Sequence, residues 1–226
     1  ALTKRLREHG VMLGIMGRGN TSDEIKKVFI DSNKENVVAS VSIKRKKTYG
    51  TGKKVVIAVD CGMKENSVRE LMRYDITLHR VPYNYDYTDE KFDGIFISNG
   101  PGNPEMLGET ISIVKKAMKL RKPMFGICLG SQLMGLAVGG TAYKLPYGHR
   151  GQNQPCVDEK TRRCYITSQN HGYALIEDSI PRGWYVSFRN LNDGSVEGIA
   201  HKTLPFFSAQ FHPEAAPGPT DTRFMF

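Results

Sequence analysis

The sequence predicts an α/β protein with an open, mostly parallel sheet flanked by helices and a mixed or antiparallel extension. Two observations carry that expectation. Between Lys53 and Gly140, short apolar runs alternate with amphipathic stretches of helical length, the signature of parallel strands joined by crossover helices. Beyond Gly140, strand-like pieces follow one another with few helices between them. At 226 residues and 39% hydrophobic, the chain is long and apolar enough to bury a sizeable core.

Taken in order, residues 1–10, "ALTKRLREHG", read as the end of a short basic helix closed by Gly10, and "VMLGIMG" as a short apolar strand. Asn20 to Glu24 is polar and rich in helix-capping residues. From there to about Gly52 the chain is charged, with one apolar stretch, "VVASVSI", and reads as a partly ordered linker. "KKVVIAVDCG" is a continuous apolar run ending in glycine, as a strand buried on both faces requires. "KENSVRELMRY" has helical spacing, with Val68, Leu71 and Met72 on one side. "ITLHRVPY" and "FDGIFISNG" are the second and third strands. "GETISIVKKAMKL" is an amphipathic helix with Ile111, Val114 and Met118 on one face. "KPMFGIC" is the fourth strand, and "LGSQLMGLAVGG" the helix that leaves it. "RRCYITSQNHGYAL", "GWYVSFRN", "SVEGIAH" and "LPFFSAQFHPE" are the strand-like pieces of the extension.

Composition narrows the function classes. The net charge of +9 invites a nucleic-acid reading. However, residues 1–54 hold 13 Lys/Arg against 5 Asp/Glu, and the remainder is nearly balanced at 19 against 18. A basic run of this kind is a solvated face or linker, and no nucleic-acid motif accompanies it, so no nucleic-acid partner is expected. No apolar run approaches the roughly 20 residues that span a bilayer, and the N-terminus has no apolar signal core. It also lacks an initiator Met, so the chain is expected to be a piece of a longer one. The cysteines, at 61, 128, 156 and 164, have no C-x-x-C spacing, and the six histidines are scattered without H-x-x-x-H or H-E-x-x-H. A reducing, cytoplasmic setting and no metal site are expected.

Gly126-Ile127-Cys128-Leu129-Gly130 has the form G-x-C-x-G, directly after an apolar strand. This is the cysteine version of the nucleophile elbow, in which a sharp strand-to-helix turn pushes the nucleophile outwards. A buried structural cysteine fits the pattern equally well, since free cysteine is among the most buried residue types. Two further segments weigh for the nucleophile. "FHPE" offers His212 with Glu214 two residues on, on one face of an extended chain, a carboxylate that would hold the imidazole in one tautomer. "SNGPGNP", Ser98 to Pro104, is a glycine loop able to present backbone N–H groups to an oxyanion. All three lie at the carboxyl ends of predicted strands, where open parallel sheets bind ligands.

"FISNGPGNP", "PMFGICLGSQ", "TSQNHGYA" and "FFSAQFHPEAAPGPTDT" occur in the order and spacing of the class I (triad) glutamine amidotransferases, which the chain resembles over about residues 53–226. "VDCGMKENSVREL", "GQNQP" and "HPEAAPGP" resemble the glutaminase domain of the eukaryotic glutamine-dependent carbamoyl-phosphate synthetase used for pyrimidines. Residues 1–20 resemble the tail of the small-subunit N-terminal domain of that family, leaving 21–52 as the basic linker and 53–226 as the glutaminase domain. The resemblance implies a flavodoxin-like core. It implies Cys128 as nucleophile, His212 as base and Glu214 as its orienter. It implies Gly100, Gly102 and the N–H of Leu129 at the oxyanion, and Gln132, Asn170, Gly172 and Tyr173 at the substrate, L-glutamine. It implies no cofactor in this chain, with ATP and bicarbonate used by a separate carbamoyl-phosphate synthetase domain as partner. Consistent with that, no G-x-x-x-x-G-K-[ST] pattern is present. Ser131 departs from the family, many members of which have His after "CLG". The alternatives are the glutaminase domain of another ammonia-channelling synthase, or a catalytically silent docking or allosteric domain of the kind that accompanies ammonia-dependent synthetases lacking the thiol.

Overall fold

The computed structural model describes residues 2–14 and 31–226, and its frame is a ten-stranded sheet. The apolar runs become the parallel strands β2 (Lys54–Asp60), β3 (Ile76–Pro82), β4 (Gly94–Ile97), β5 (Met124–Ile127) and β10 (Phe206–Ala209). β1 (Lys47–Tyr49) closes one edge, antiparallel to β3. On the other side of β10 run β6 (Ala142–Asp158), β7 (Cys164–Leu175), β8 (Trp184–Asn190) and β9 (Val196–His201), all antiparallel. The order is β1-β3-β2-β4-β5-β10-β9-β8-β6-β7. The expected parallel sheet and its antiparallel extension are therefore one continuous sheet, joined where β10 pairs parallel with β5 and antiparallel with β9.

The helices are α1 (Leu2–His9), α2 (Val38–Val41), α3 (Glu65–Leu71), α4 (Gly108–Met118) and α5 (Leu129–Ala137), and all but α2 fall where the sequence places them. α4 and α5 cover one face of the parallel strands, sharing a core of Val114, Ala117, Leu129, Leu133 and Met134 with Ile57, Val59 and Ile97 of the sheet. Ile111 and Met118 pack against that core from the same face of α4. α3 covers the opposite face through Val68 and Leu71, together with Met72, Met225 and Phe226 against Phe96 and Phe125. Strands covered on both sides need side chains that are apolar at consecutive positions, which is why β2, β4 and β5 read as unbroken apolar runs.

Three local expectations change. Residues 11–14 form no strand, because Val11 leaves Gly10 in a turn and donates its N–H to the Pro146 carbonyl. The remainder of "VMLGIMG" and all of "NTSDE" lie outside the described residues. The apolar stretch "VVASVSI" contains α2, and the charged run after it supplies β1. The 17-residue strand β6 has no apolar alternation to announce it, since its central residues face solvent or a polar cavity.

Candidate active site

β4, β5 and β10 are parallel neighbours, so the residues that follow Ile97, Ile127 and Ala209 emerge side by side at one edge of the sheet. That brings together the glycine loop, Cys128 and the "FHPE" segment. Cys128 sits at the turn from β5 into α5, with φ 53° and ψ −104°, and donates its N–H to the Ala209 carbonyl at 2.8 Å. A non-glycine residue held there costs about 1–3 kcal/mol and persists only where its surroundings over-determine it. The flanking glycines show how they do so. A Cβ on Gly130 would lie 2.2 Å from the Ile97 carbonyl oxygen, and one on Gly126 would lie 2.7 Å from the Gly130 carbonyl carbon. Only glycine lets α5 approach the sheet closely enough to fix this turn. The thiol stands at the N-terminus of α5, where the helix dipole favours negative charge.

β10 ends at Ala209, and three residues later the chain turns rather than continuing extended. His212 donates its N–H to the Ser168 carbonyl at 2.8 Å and accepts the Ala215 N–H at its own carbonyl at 3.1 Å. The turn places His212 Nδ1 2.7 Å from Glu214 Oε1, closer than two side chains on one face of a strand would come. Nε2 is the nitrogen left for the Cys128 thiol, which lines the same cavity. Burial alone would lower the pKa of His212, but the charge and hydrogen bond of Cys128, and then Glu214, override it and hold the imidazolium up to about 10. Burial acts on Glu214 in the opposite sense, raising its pKa, and His212 and Lys64 outweigh it, so the carboxylate stays below its ordinary range. Lys64 Nζ lies 3.1 Å from Glu214 Oε1 and donates to the Ala215 carbonyl at 2.6 Å. Asn66 Nδ2 donates to the Glu214 carbonyl.

Cys128 and His212 open onto a cavity of about 430 Å³ walled by Lys64, Asn99 and Gly100 on one side and by residues 150–152 and 168–170 on the other. A family profile, glutamine amidotransferase class-I, matches residues 57–226. The chain belongs to the class-I glutamine amidotransferase family. It is 49% identical over 229 aligned positions to the multifunctional protein CAD of Squalus acanthias, covering all of this chain and 10% of that protein. It is 45% identical to human mitochondrial carbamoyl-phosphate synthase [ammonia], over all of this chain and 15% of the relative, and 43% identical to the multifunctional protein URA2 of Saccharomyces cerevisiae, over all of this chain and 12% of it. The chain thus spans 10–15% of the length of these relatives. Among solved structures, a glutamine amidotransferase from Thermotoga maritima shares the fold, with a TM-score of 0.57 at 17% identity, covering 73% of this chain and 77% of that one.

The amidotransferase distributes the other expected site residues unevenly. Gly100 lines the cavity, and a Cβ there would collide with the Cys61 carbonyl oxygen at 2.0 Å. The Leu129 N–H, at the first position of α5, has no intrahelical acceptor and borders the thiol. Asn170 stands on the wall opposite Arg150 in the β6–β7 register. Gly102, at φ 89°, faces Val37 and Ser32 and not the cavity. Gln132 is buried and donates its amide to the Tyr173 carbonyl at 2.9 Å and Gln210 Oε1 at 3.0 Å. Gly172 and Tyr173 lie farther along β7, with the Tyr173 hydroxyl donating to Asn33 Oδ1 at 3.1 Å. Ser131 is buried, its hydroxyl 2.8 Å from that of Ser208.

Sequence reasoning missed Lys64, Gln152, Ser168 and Gln169 on the wall. Lys64 carried no local signal, since it reaches Glu214 across 150 residues of chain. The histidines are less scattered than their spacing suggests. His149 Nδ1 and His171 Nε2 converge on Glu197 Oε1 at 3.0 and 3.5 Å, and the ligand atoms of the three lie within 4.8 Å of one another. Two imidazoles and a carboxylate form a donor set that suits zinc. Here the space between the rings is filled by Gln169 Oε1, 2.8 Å from His149 Nδ1 and 3.1 Å from His171 Nε2.

Proposed function

We propose that the chain hydrolyses the side-chain amide of L-glutamine through Cys128, His212 and Glu214, and that the ammonia serves carbamoyl phosphate synthesis in the first step of pyrimidine formation. The thiolate of Cys128 attacks the amide carbon. His212, an imidazolium beside that thiolate, gives its Nε2 proton to the departing nitrogen, so that ammonia leaves and a γ-glutamyl thioester remains. Water, deprotonated by His212, then cleaves the thioester to glutamate and the free thiol. Glu214 fixes the ring through Nδ1 and stabilises its charge. The Leu129 N–H, with the Gly100 loop, meets the oxyanion that develops at each tetrahedral stage. Asn170 lines the substrate pocket, Gln132, Gly172 and Tyr173 support its wall from behind, and Gly102 shapes the loop that carries Gly100.

The observation that carries this reading is the 2.7 Å His212–Glu214 contact beside a thiol held at a strained turn, all at one cavity. The relatives named carbamoyl-phosphate synthase support the destination of the ammonia; a synthetase partner using ATP and bicarbonate, and a cytoplasmic setting, are part of the same proposal. One group of relatives is named for ammonia, which raises the silent-domain alternative. The thiol at position 128 and its paired histidine favour the glutamine-using reading. Glutamate release from glutamine by the purified chain tests it. Cys128→Ala is expected to abolish release while preserving the fold, and glutamate release by that variant overturns the assignment.

A further inference from the structure

The cavity wall formed by β6 and β7 is an irregular hairpin. Its register breaks between Lys144 and His149 and again between Gly151 and Gln154, which isolates a short paired stretch, His149, Arg150 and Gly151 against His171, Asn170 and Gln169, from the regular ladder on either side. Such breaks re-aim side chains, but a bulged ribbon needs something else to hold it. Behind this wall lies a buried polar cluster. Glu197, on β9, is fully buried and faces His149 and His171 through Oε1. His149 Nε2 is 2.8 Å from Asp193 Oδ2, while Nδ1 is 2.8 Å from Gln169 Oε1. The nearest partners of the His149 ring are oxygen acceptors on both nitrogens, at 2.8 to 3.0 Å, with the Asn190 amide nitrogen farther from Nδ1 at 3.3 Å; acceptors at both ends favour the ring as a cation between two carboxylates. In keeping with this, burial lowers the pKa of His149, but Glu197 and Asp193 outweigh it and lift it to about 9.

The cluster grips both sides of the site. Through His149 and His171 it clamps Gln169, whose amide nitrogen is tied to Cys156 Sγ at 3.2 Å and Thr167 Oγ1 at 3.0 Å. Through its backbone, Glu197 accepts the Gln210 N–H at 2.7 Å, two residues before His212. One residue therefore connects the strand pair facing the substrate with the segment that carries the histidine. Its second oxygen, Oε2, has no partner among the described residues, so the cost of burying this carboxylate is only partly offset.

We propose that Glu197, acting through His149 and Gln169, is a positioning residue that fixes the substrate-facing wall in register with the Cys128–His212 pair. The proposal rests on the glutaminase reading for its kinetic arm only. Glu197→Gln keeps the shape and removes the charge. It is expected to raise KM for glutamine by about tenfold, the scale of one misaligned buried polar contact, and to change kcat by less than about threefold. Asp193→Asn, at the exposed end of the cluster, leaves the core untouched and is expected to give a smaller KM rise with the same split. Independently of substrate, hydrogen exchange in the free chain is expected to speed up in residues 148–155 and 166–171 in both variants, while α5 exchanges as before. Unchanged KM with unchanged exchange in Asp193→Asn and Glu197→Gln overturns the proposal. So does a uniform rise in exchange with kcat and KM falling together, which marks a merely structural residue. Stoichiometric bound zinc in the purified chain, lost in Glu197→Gln, overturns it as well, because the metal would then be the anchor. If the wild-type chain releases no glutamate, the functional reading fails, and the exchange arm still decides the anchor.

Discussion

Cys128 is held at φ 53°, in a conformation that resists most side chains, beside a histidine whose charge it helps to set. His212 keeps its proton up to about pH 10 because thiol and carboxylate both favour the imidazolium. Removing the carboxylate charge is expected to lower that limit. In Glu214→Gln, kcat/KM for glutamine should begin to fall at lower pH on the alkaline side, and the maximum should drop less than in Cys128→Ala, because the thiol and the oxyanion donors remain. An unmoved alkaline limb, or a variant as inactive as Cys128→Ala, would show that Glu214 does more or other than orient the ring. Much of this site was legible in the chain itself, because Cys128 and His212 each arrive with local context: glycines around the cysteine, an acid two residues from the histidine. Lys64 and Gln169 were not, since what makes them matter is a contact between strands far apart in sequence. Their residue types carry no mark of it.

At the scale of elements, the packing of α5 on β4 sets the position of the thiol. Helix propensity alone favours Ala over Gly by about 1 kcal/mol, so Gly130→Ala in isolation would stabilise α5. The Ile97 carbonyl, 2.2 Å from the new Cβ, forces the opposite sign. A loss of about 3 kcal/mol or more in denaturant unfolding is expected, and a stabilised variant would contradict the packing described here. The long hairpin β6–β7 carries a second expectation. His149 in the folded state holds its proton to about pH 9 and His212 to about pH 10, against an ordinary value near 6.5. Groups raised in this way contribute stability that is complete below pH 6.5 and is lost as pH rises through 9 and 10. The melting temperature should therefore decline above neutrality, and the part of the decline centred near pH 9 should disappear in Glu197→Gln. The parallel strands and helices could be read from the sequence because burial on two faces, or on one stripe, imposes a period. β6 could not, because its residues alternate between solvent and a polar cavity and leave no apolar pattern.

For the whole molecule, the sheet joins two kinds of surface: a parallel half that carries Cys128 and an antiparallel half that walls the cavity beside it. Residues upstream of the family match take part in both. Asn33 accepts the Tyr173 hydroxyl and, through its carbonyl, the Asn103 amide, and Asn36 meets the Tyr83 hydroxyl at 3.3 Å. A glutaminase whose neighbouring segments touch the glycine loop is suited to control from outside the domain. Since the chain spans only 10–15% of its relatives, the contacts that set the working state are expected in the rest of such proteins. Alone, it should hydrolyse glutamine slowly, and addition of a synthetase partner with ATP and bicarbonate should raise the steady rate of glutamate release. A chain already as fast alone would make the domain autonomous. The catalytic expectations among these depend on Cys128 being the nucleophile. The most direct measurement is mass spectrometry of the chain after treatment with a glutamine-analogue electrophile, with and without competing glutamine. Burial pushes the thiols of Cys61 and Cys156 upward and keeps them unreactive, whereas Cys164 is exposed and open to any reagent. One adduct on Cys128, prevented by glutamine, is the predicted result. An adduct confined to Cys164, or labelling of Cys128 that glutamine does not slow, would contradict it.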